Sequence, residues 1–179
     1  MKIVLLVAVT SLLYGGAAYG SSLHLEVDLS DRILLAMDGD EVVREYSVAV
    51  GTSENPTPEG SFSIRKVIWN PSWHPPEEKW ARGKTPKPPG HPDNPMKRVK
   101  MFFQEPDYYI HGTGAEESLG KAESHGCVRM APDDVTDLAK LVMEHGGKPM
   151  PEPWYRRIFR LKTTKVIYLT EPIEVTVAE

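Results

Sequence analysis

Two short runs hold the residue types that acyl transfer needs. His111-Gly112-Thr113 begins sixteen positions ahead of Cys127, which lies in Ser124-His125-Gly126-Cys127-Val128-Arg129. The thiolate is the attacking form, and an unassisted cysteine with a pKa of about 8.5 supplies little of it at neutral pH. An imidazole within hydrogen-bond reach can take the proton, and a third group must fix the ring. His111 at a strand end and Cys127 on a glycine-punctuated turn just before a helix suit those roles. Gly126 lets the backbone turn sharply beside the thiol. The N–H groups of Gly126 and Cys127 are then expected to hold a developing oxyanion. Gly112 permits close backbone approach, and its carbonyl is expected to orient the imidazole.

Each residue has a plainer reading. Cys127 is the single cysteine of the chain, and a free thiol packs well as a small buried hydrophobe. His111 serves equally as a core histidine bonded to a carbonyl. His111, His125 and Cys127 are metal-ligand types, although zinc wants three or four placed ligands and no Cys-x-x-Cys pair is present. Ser124 is a second hydroxyl nucleophile by type, but it lacks the glycine-flanked elbow that exposes a catalytic serine.

The surrounding pattern is mainly β. Leu23, Leu25, Val27 and Leu29 alternate with polar residues, the period of a half-buried strand. Arg32 to Met37 and Glu41 to Val50 follow as strands across the Asp38-Gly39-Asp40 turn. Further strands are expected around Phe62 to Ile68, Met101 to Gln104, Tyr108 to His111, Thr164 to Leu169 and Ile173 to Val177. Short strands with Gly and Pro punctuation indicate a sandwich or barrel. One principal helix follows the cysteine. Val135, Leu138, Ala139 and Val142 share a face, Pro132 and two Asp open it, and Gly146 ends it. Between Asn70 and Pro95 lie eight of the sixteen prolines. Long inserts of this kind serve as lids or binding loops. Trp69, Trp73 and Trp80 frame this one, and a short helical turn is expected over Glu77 to Arg82.

Residues 1–20 read as a secretory signal peptide. Lys2 precedes an apolar run from Ile3 to Leu13 that is too short for a membrane anchor, and Ala18-Tyr19-Gly20 supplies the small cleavage residues. The remainder, 21–179, is one domain. A formal net charge of −4 disfavours nucleic acid, which needs clustered cations. Lys97-Arg98-Lys100 and Arg156-Arg157-Arg160 read as solvated faces.

The His-Gly-Thr and Ser-His-Gly-Cys blocks resemble the signature of L,D-transpeptidase catalytic domains. Thr57-Pro58-Glu59-Gly60-Ser61-Phe62 and the Trp69-Asn70-Pro71-Ser72-Trp73 segment resemble two further stretches of that family. The resemblance implies Cys127 as nucleophile and His111 as base and acid. Gly112, Ser124, His125, Gly126, Arg129 and Trp73 would shape the pocket and orient substrate. It further implies an exported, periplasmic enzyme that acts on peptidoglycan stem peptides and uses no metal or organic cofactor. Water as acceptor, giving an L,D-carboxypeptidase, and a non-catalytic wall-binding module are the alternatives. Met96-Lys97 stands where the family carries Leu-Gly, which bears on the acceptor side of the pocket.

Overall fold

The computed structural model describes residues 23–179. The expected signal peptide lies outside the described residues. Among the described residues, ten strands and two α-helices make up the fold. They are β1 (Leu23–Asp28), β2 (Ile33–Asp38), β3 (Glu41–Ser47), β4 (Val50–Gly51), β5 (Gly60–Trp69), β6 (Lys97–Gln104), β7 (Tyr108–Gly112), β8 (Ala122–Ser124) and β9 (Val128–Met130), then α1 (Pro132–His145), α2 (Glu152–Ile158) and β10 (Lys165–Ala178).

Eight strands form one sheet in the order β3-β2-β1-β10-β5-β6-β7-β9. The two ends of the described chain meet in its middle, where β1 runs parallel to β10. The sheet nearly closes on itself. Just beyond edge strand β3, Ala49 exchanges two backbone hydrogen bonds of 2.9 and 2.8 Å with Arg129 of the opposite edge strand β9. Closure of this kind removes exposed strand edges. The fold is therefore mainly β, barrel-like, with one main helix.

Alternation decides which face of each strand is buried. Val99, Met101 and Phe103 of β6 and Ile110 of β7 point into the core with Val128 of β9, and α1 adds Val135, Leu138, Ala139 and Val142. The intervening residues of β6, β7 and β9 face outward. Lys100 pairs with His111, and His111 in turn pairs with Arg129. Successive strands thus place these three side chains in one row on the outer face.

Several expectations need correction. The two final strands are one, β10, interrupted by a bulge between Tyr168 and Ile173. The strand expected to run to Val50 stops at Ser47, and Val50–Gly51 instead pairs with β8 in a separate two-stranded sheet. Cys127 does not lead directly into the helix, because β9 intervenes. The second helix α2 was not legible as an element. Its Tyr155, with Trp154 and Phe159, surrounds Trp69 at ring-centroid distances of 5.3 to 5.8 Å.

Trp69 is fully buried, and its indole N–H donates to Met143 Sδ of α1 at 3.2 Å. Trp69→Ala is expected to cost about 3–5 kcal/mol through lost burial and the cavity left behind. Chemical denaturation that shows a loss under 1 kcal/mol would contradict this packing role.

Candidate active site

The proline-rich insert builds one wall of a cavity over the outer face of the sheet. Its base is tied by Asn94, which is buried and donates to the carbonyls of Pro71 at 2.9 Å and Pro88 at 3.1 Å. Trp73 and Lys87 exchange backbone hydrogen bonds of 2.9 Å across the insert. The expected helical turn is a 3-10 turn at Lys79–Ala81. The cavity below has a volume of about 920 Å³, and both Cys127 and His111 line it. That is room for a peptide segment rather than a single side chain.

His111 comes from the penultimate position of β7 and is 4% exposed. Its Nδ1 lies 2.9 Å from the carbonyl oxygen of Gly112. A carbonyl only accepts, so Nδ1 carries the proton and Nε2 presents a lone pair. Burial, with Arg129 and Lys100 adding repulsion, pulls the His111 pKa down from 6.5 to about 3. The ring is neutral at physiological pH, the state a general base requires. Gly112 has no room for a side chain, since a Cβ there would lie 2.2 Å from the Lys97 carbonyl oxygen and 2.9 Å from Val135 Cγ1.

Cys127 precedes β9 on a turn that Ser124 knots. Ser124 Oγ donates to the Cys127 carbonyl at 2.5 Å and accepts from the Gly126 N–H at 3.1 Å. Ser124 is 1% exposed and its hydroxyl braces the turn, while the residue also lines the cavity. The same bond engages the Gly126 N–H, one of the two amides expected as oxyanion donors. Gly126 has φ of +100°, and a Cβ on it would sit 2.7 Å from the Tyr108 ring. Only glycine meets both demands.

The thiol donates to the Asp107 carbonyl at 3.4 Å. Crowding around the sulfur raises its pKa, while hydrogen bonds from the Tyr109 backbone and side chain, and the charges of Lys100 and Arg129, pull it down. The residue is half-buried, and the cavity keeps its sulfur accessible. Cys127 and His111 therefore rest as thiol and neutral imidazole.

His125 stacks on Trp80 of the insert, with centroids 4.1 Å apart and planes inclined by 17°. The Trp80 N–H is held by Glu78 Oε2 at 2.7 Å, and the Lys84 ammonium lies 4.7 Å from the indole centroid. His125 thus clasps the insert to the turn that carries Cys127. Trp73 and Arg129 also line the cavity. Among the described residues no group of three His, Cys, Asp or Glu side chains is placed to hold a metal ion.

The L,D-transpeptidase catalytic domain family, YkuD, matches residues 22–167. The chain belongs to this family. YqjB of Bacillus subtilis, a protein named as an L,D-transpeptidase, is 38% identical over 102 residues, covering 54% of this chain and 53% of that one. YkuD of Bacillus licheniformis, named likewise, is 34% identical over 119 residues, covering 66% and 59%. The chain thus spans between half and three fifths of the length of these relatives. Among solved structures, the NMR structure of the catalytic domain of the Enterococcus faecium L,D-transpeptidase superposes with a TM-score of 0.56 at 17% identity, covering 89% of this chain and 99% of that one. L,D-transpeptidase 3 of Mycobacterium tuberculosis, in complex with a faropenem-derived adduct, gives a TM-score of 0.52 at 16% identity, covering 88% and 60%. At these identities the likeness concerns the fold.

Within this L,D-transpeptidase domain, Lys97 has a defined place. It opens β6 opposite Gly112, and its ammonium donates to the Pro92 carbonyl at 2.6 Å. Its position is a strand one, and the left-handed conformation falls on the next residue, Arg98, at φ of 60°. Glycine's conformational freedom is not needed at 97.

Lys100 and Tyr109 escaped the sequence reading. Lys100 is no solvated face. Its Nζ lies 3.9 Å from the Tyr109 ring centroid and 4.3 Å from that of Phe102, inside the cavity wall. The available signal was the alternation of Val99, Met101 and Phe103. Continued through β6, it assigns Lys100 to the face that carries His111.

Proposed function

We propose that the chain acts on peptidoglycan stem peptides by two-step acyl transfer through a Cys127 thioester. The observation that carries this reading is a neutral His111, anchored at Nδ1 by Gly112, that shares a peptide-sized cavity with the Cys127 thiol. His111 Nε2 takes the thiol proton once the sulfur leaves the Asp107 carbonyl. The thiolate attacks the carbonyl at the L-centre of the stem diaminoacid. The Cys127 N–H is the remaining amide of the turn for the oxyanion, since the Gly126 amide is bound to Ser124. His111 returns its proton to the departing D-alanine amine, which leaves a thioester. The amine of a second stem, deprotonated by His111, attacks the thioester. A new amide forms, the Cys127 sulfur leaves and is reprotonated, and the two stems are cross-linked. Such a substrate places the enzyme outside the cytoplasmic membrane, in accord with the leader read at residues 1–20.

Intact-protein mass after incubation with a carbapenem tests the nucleophile. A single adduct is expected, as the faropenem-derived adduct of the mycobacterial relative illustrates for that protein. Product masses from stem tetrapeptides then identify the acceptor. Cross-linked dimers support transpeptidation, while tripeptide alone means that water resolves the thioester. A folded protein with no adduct would favour a binding module.

A further inference from the structure

Lys100 and Arg129 flank His111 from the two neighbouring strands. Both line the cavity that holds Cys127. Among the described residues neither makes an ion pair with a carboxylate, whereas Lys66 is matched by Glu105 at 2.9 Å and Arg98 by Asp133 at 3.1 Å. Lys100 is held instead by the Tyr109 and Phe102 rings, which carry no formal charge to neutralise its ammonium. Five Lys or Arg and three Asp or Glu line this cavity, in a chain whose net charge is −4. Partly desolvated cations that make no direct ion pair attract an anion more strongly than surface lysines do.

We propose that Lys100 and Arg129 form an anion-receiving subsite that seats a carboxylate of the acyl-donor peptide beside Cys127. The cation pair selects donors that carry a free carboxylate next to the scissile bond. The same two cations add to burial, the larger cause, in holding the intervening His111 uncharged. The choice of a peptide as the donor rests on the function proposed above, whereas the anion preference does not.

Alkylation of the thiol separates the two. Iodoacetate and iodoacetamide are matched in size, and each loses iodide to the same sulfur, so their rate ratio cancels changes in thiol reactivity. In the wild-type protein Cys127 is expected to favour the anionic reagent relative to a free thiol. Lys100→Met should lower the iodoacetate-to-iodoacetamide ratio about tenfold, the worth of one charge-assisted contact. Arg129→Gln should lower it independently, and Lys100→Arg should keep it. Circular dichroism checks that each variant is folded. A ratio unchanged in both Lys100→Met and Arg129→Gln, or a wild-type ratio equal to that of a free thiol, overturns the subsite. The same variants should lose the preference for stem tetrapeptide with a free terminal carboxylate over its carboxamide. If the terminal amide reacts equally well while the alkylation ratio still responds, the seated carboxylate is the one on a side chain of the stem. A wild-type protein that keeps the alkylation preference but transfers no acyl group would sink the transpeptidase assignment alone.

Discussion

Cys127→Ala is expected to bring acyl transfer down to a trace. Without the sulfur no thioester forms, and the loss in rate is expected to be on the order of 10⁴-fold or more, as for other enzymes deprived of their nucleophile. The carbapenem adduct should vanish from the mass spectrum, and stem tetrapeptide should be returned unchanged. The fold should survive, because the deleted sulfur faces an open cavity and its one donated hydrogen bond is a long contact of 3.4 Å to Asp107. A well-folded Ala variant that still cross-links would move the nucleophile elsewhere. Ser124 is not available for that role while its hydroxyl ties Cys127 to Gly126.

His111→Gln is expected to slow acylation by about 10²- to 10⁴-fold, the usual worth of a positioned general base. Alkylation of Cys127 at high pH should fall much less, since there the thiol ionises without help. The same variant has a second signature. The folded pKa of His111 is depressed from 6.5 to about 3, so between those values the unfolded chain binds a proton that the folded chain refuses. Its contribution to stability is fully present above pH 6.5 and is lost as pH falls from 6.5 towards 3. In denaturant titrations across that window, wild type should weaken with acid more steeply than His111→Gln. Identical slopes would show that the imidazole is not buried as a neutral group.

The candidate pair Cys127 and His111 was legible in the sequence because the pattern that marks it is local. A glycine beside the thiol, a serine two residues further back and a histidine followed by glycine leave a fixed spacing that no other element has to supply. Strand alternation likewise set Leu23, Leu25, Val27 and Leu29 on one face, and the first three are buried while Leu29 is partly so. The helix over 132–145 announced itself by its apolar face, its opening proline and its closing glycine. What the sequence could not decide was which residues become neighbours through pairing between distant strands. Lys100 reads as part of a basic run until β6 is set against β7, and only then does it stand beside His111. Trp80 is a loop tryptophan until the insert folds over the Cys127 turn and stacks it on His125. The Gly126 amide looks free until the Ser124 side chain folds back on it. Near-closure of the sheet depends on a two-bond bridge between Ala49 and Arg129, eighty positions apart. Short-range motif spacing carries the candidate reacting groups, Cys127 and His111. The charge and shape of the cavity around them come from long-range register, which a linear pattern does not encode.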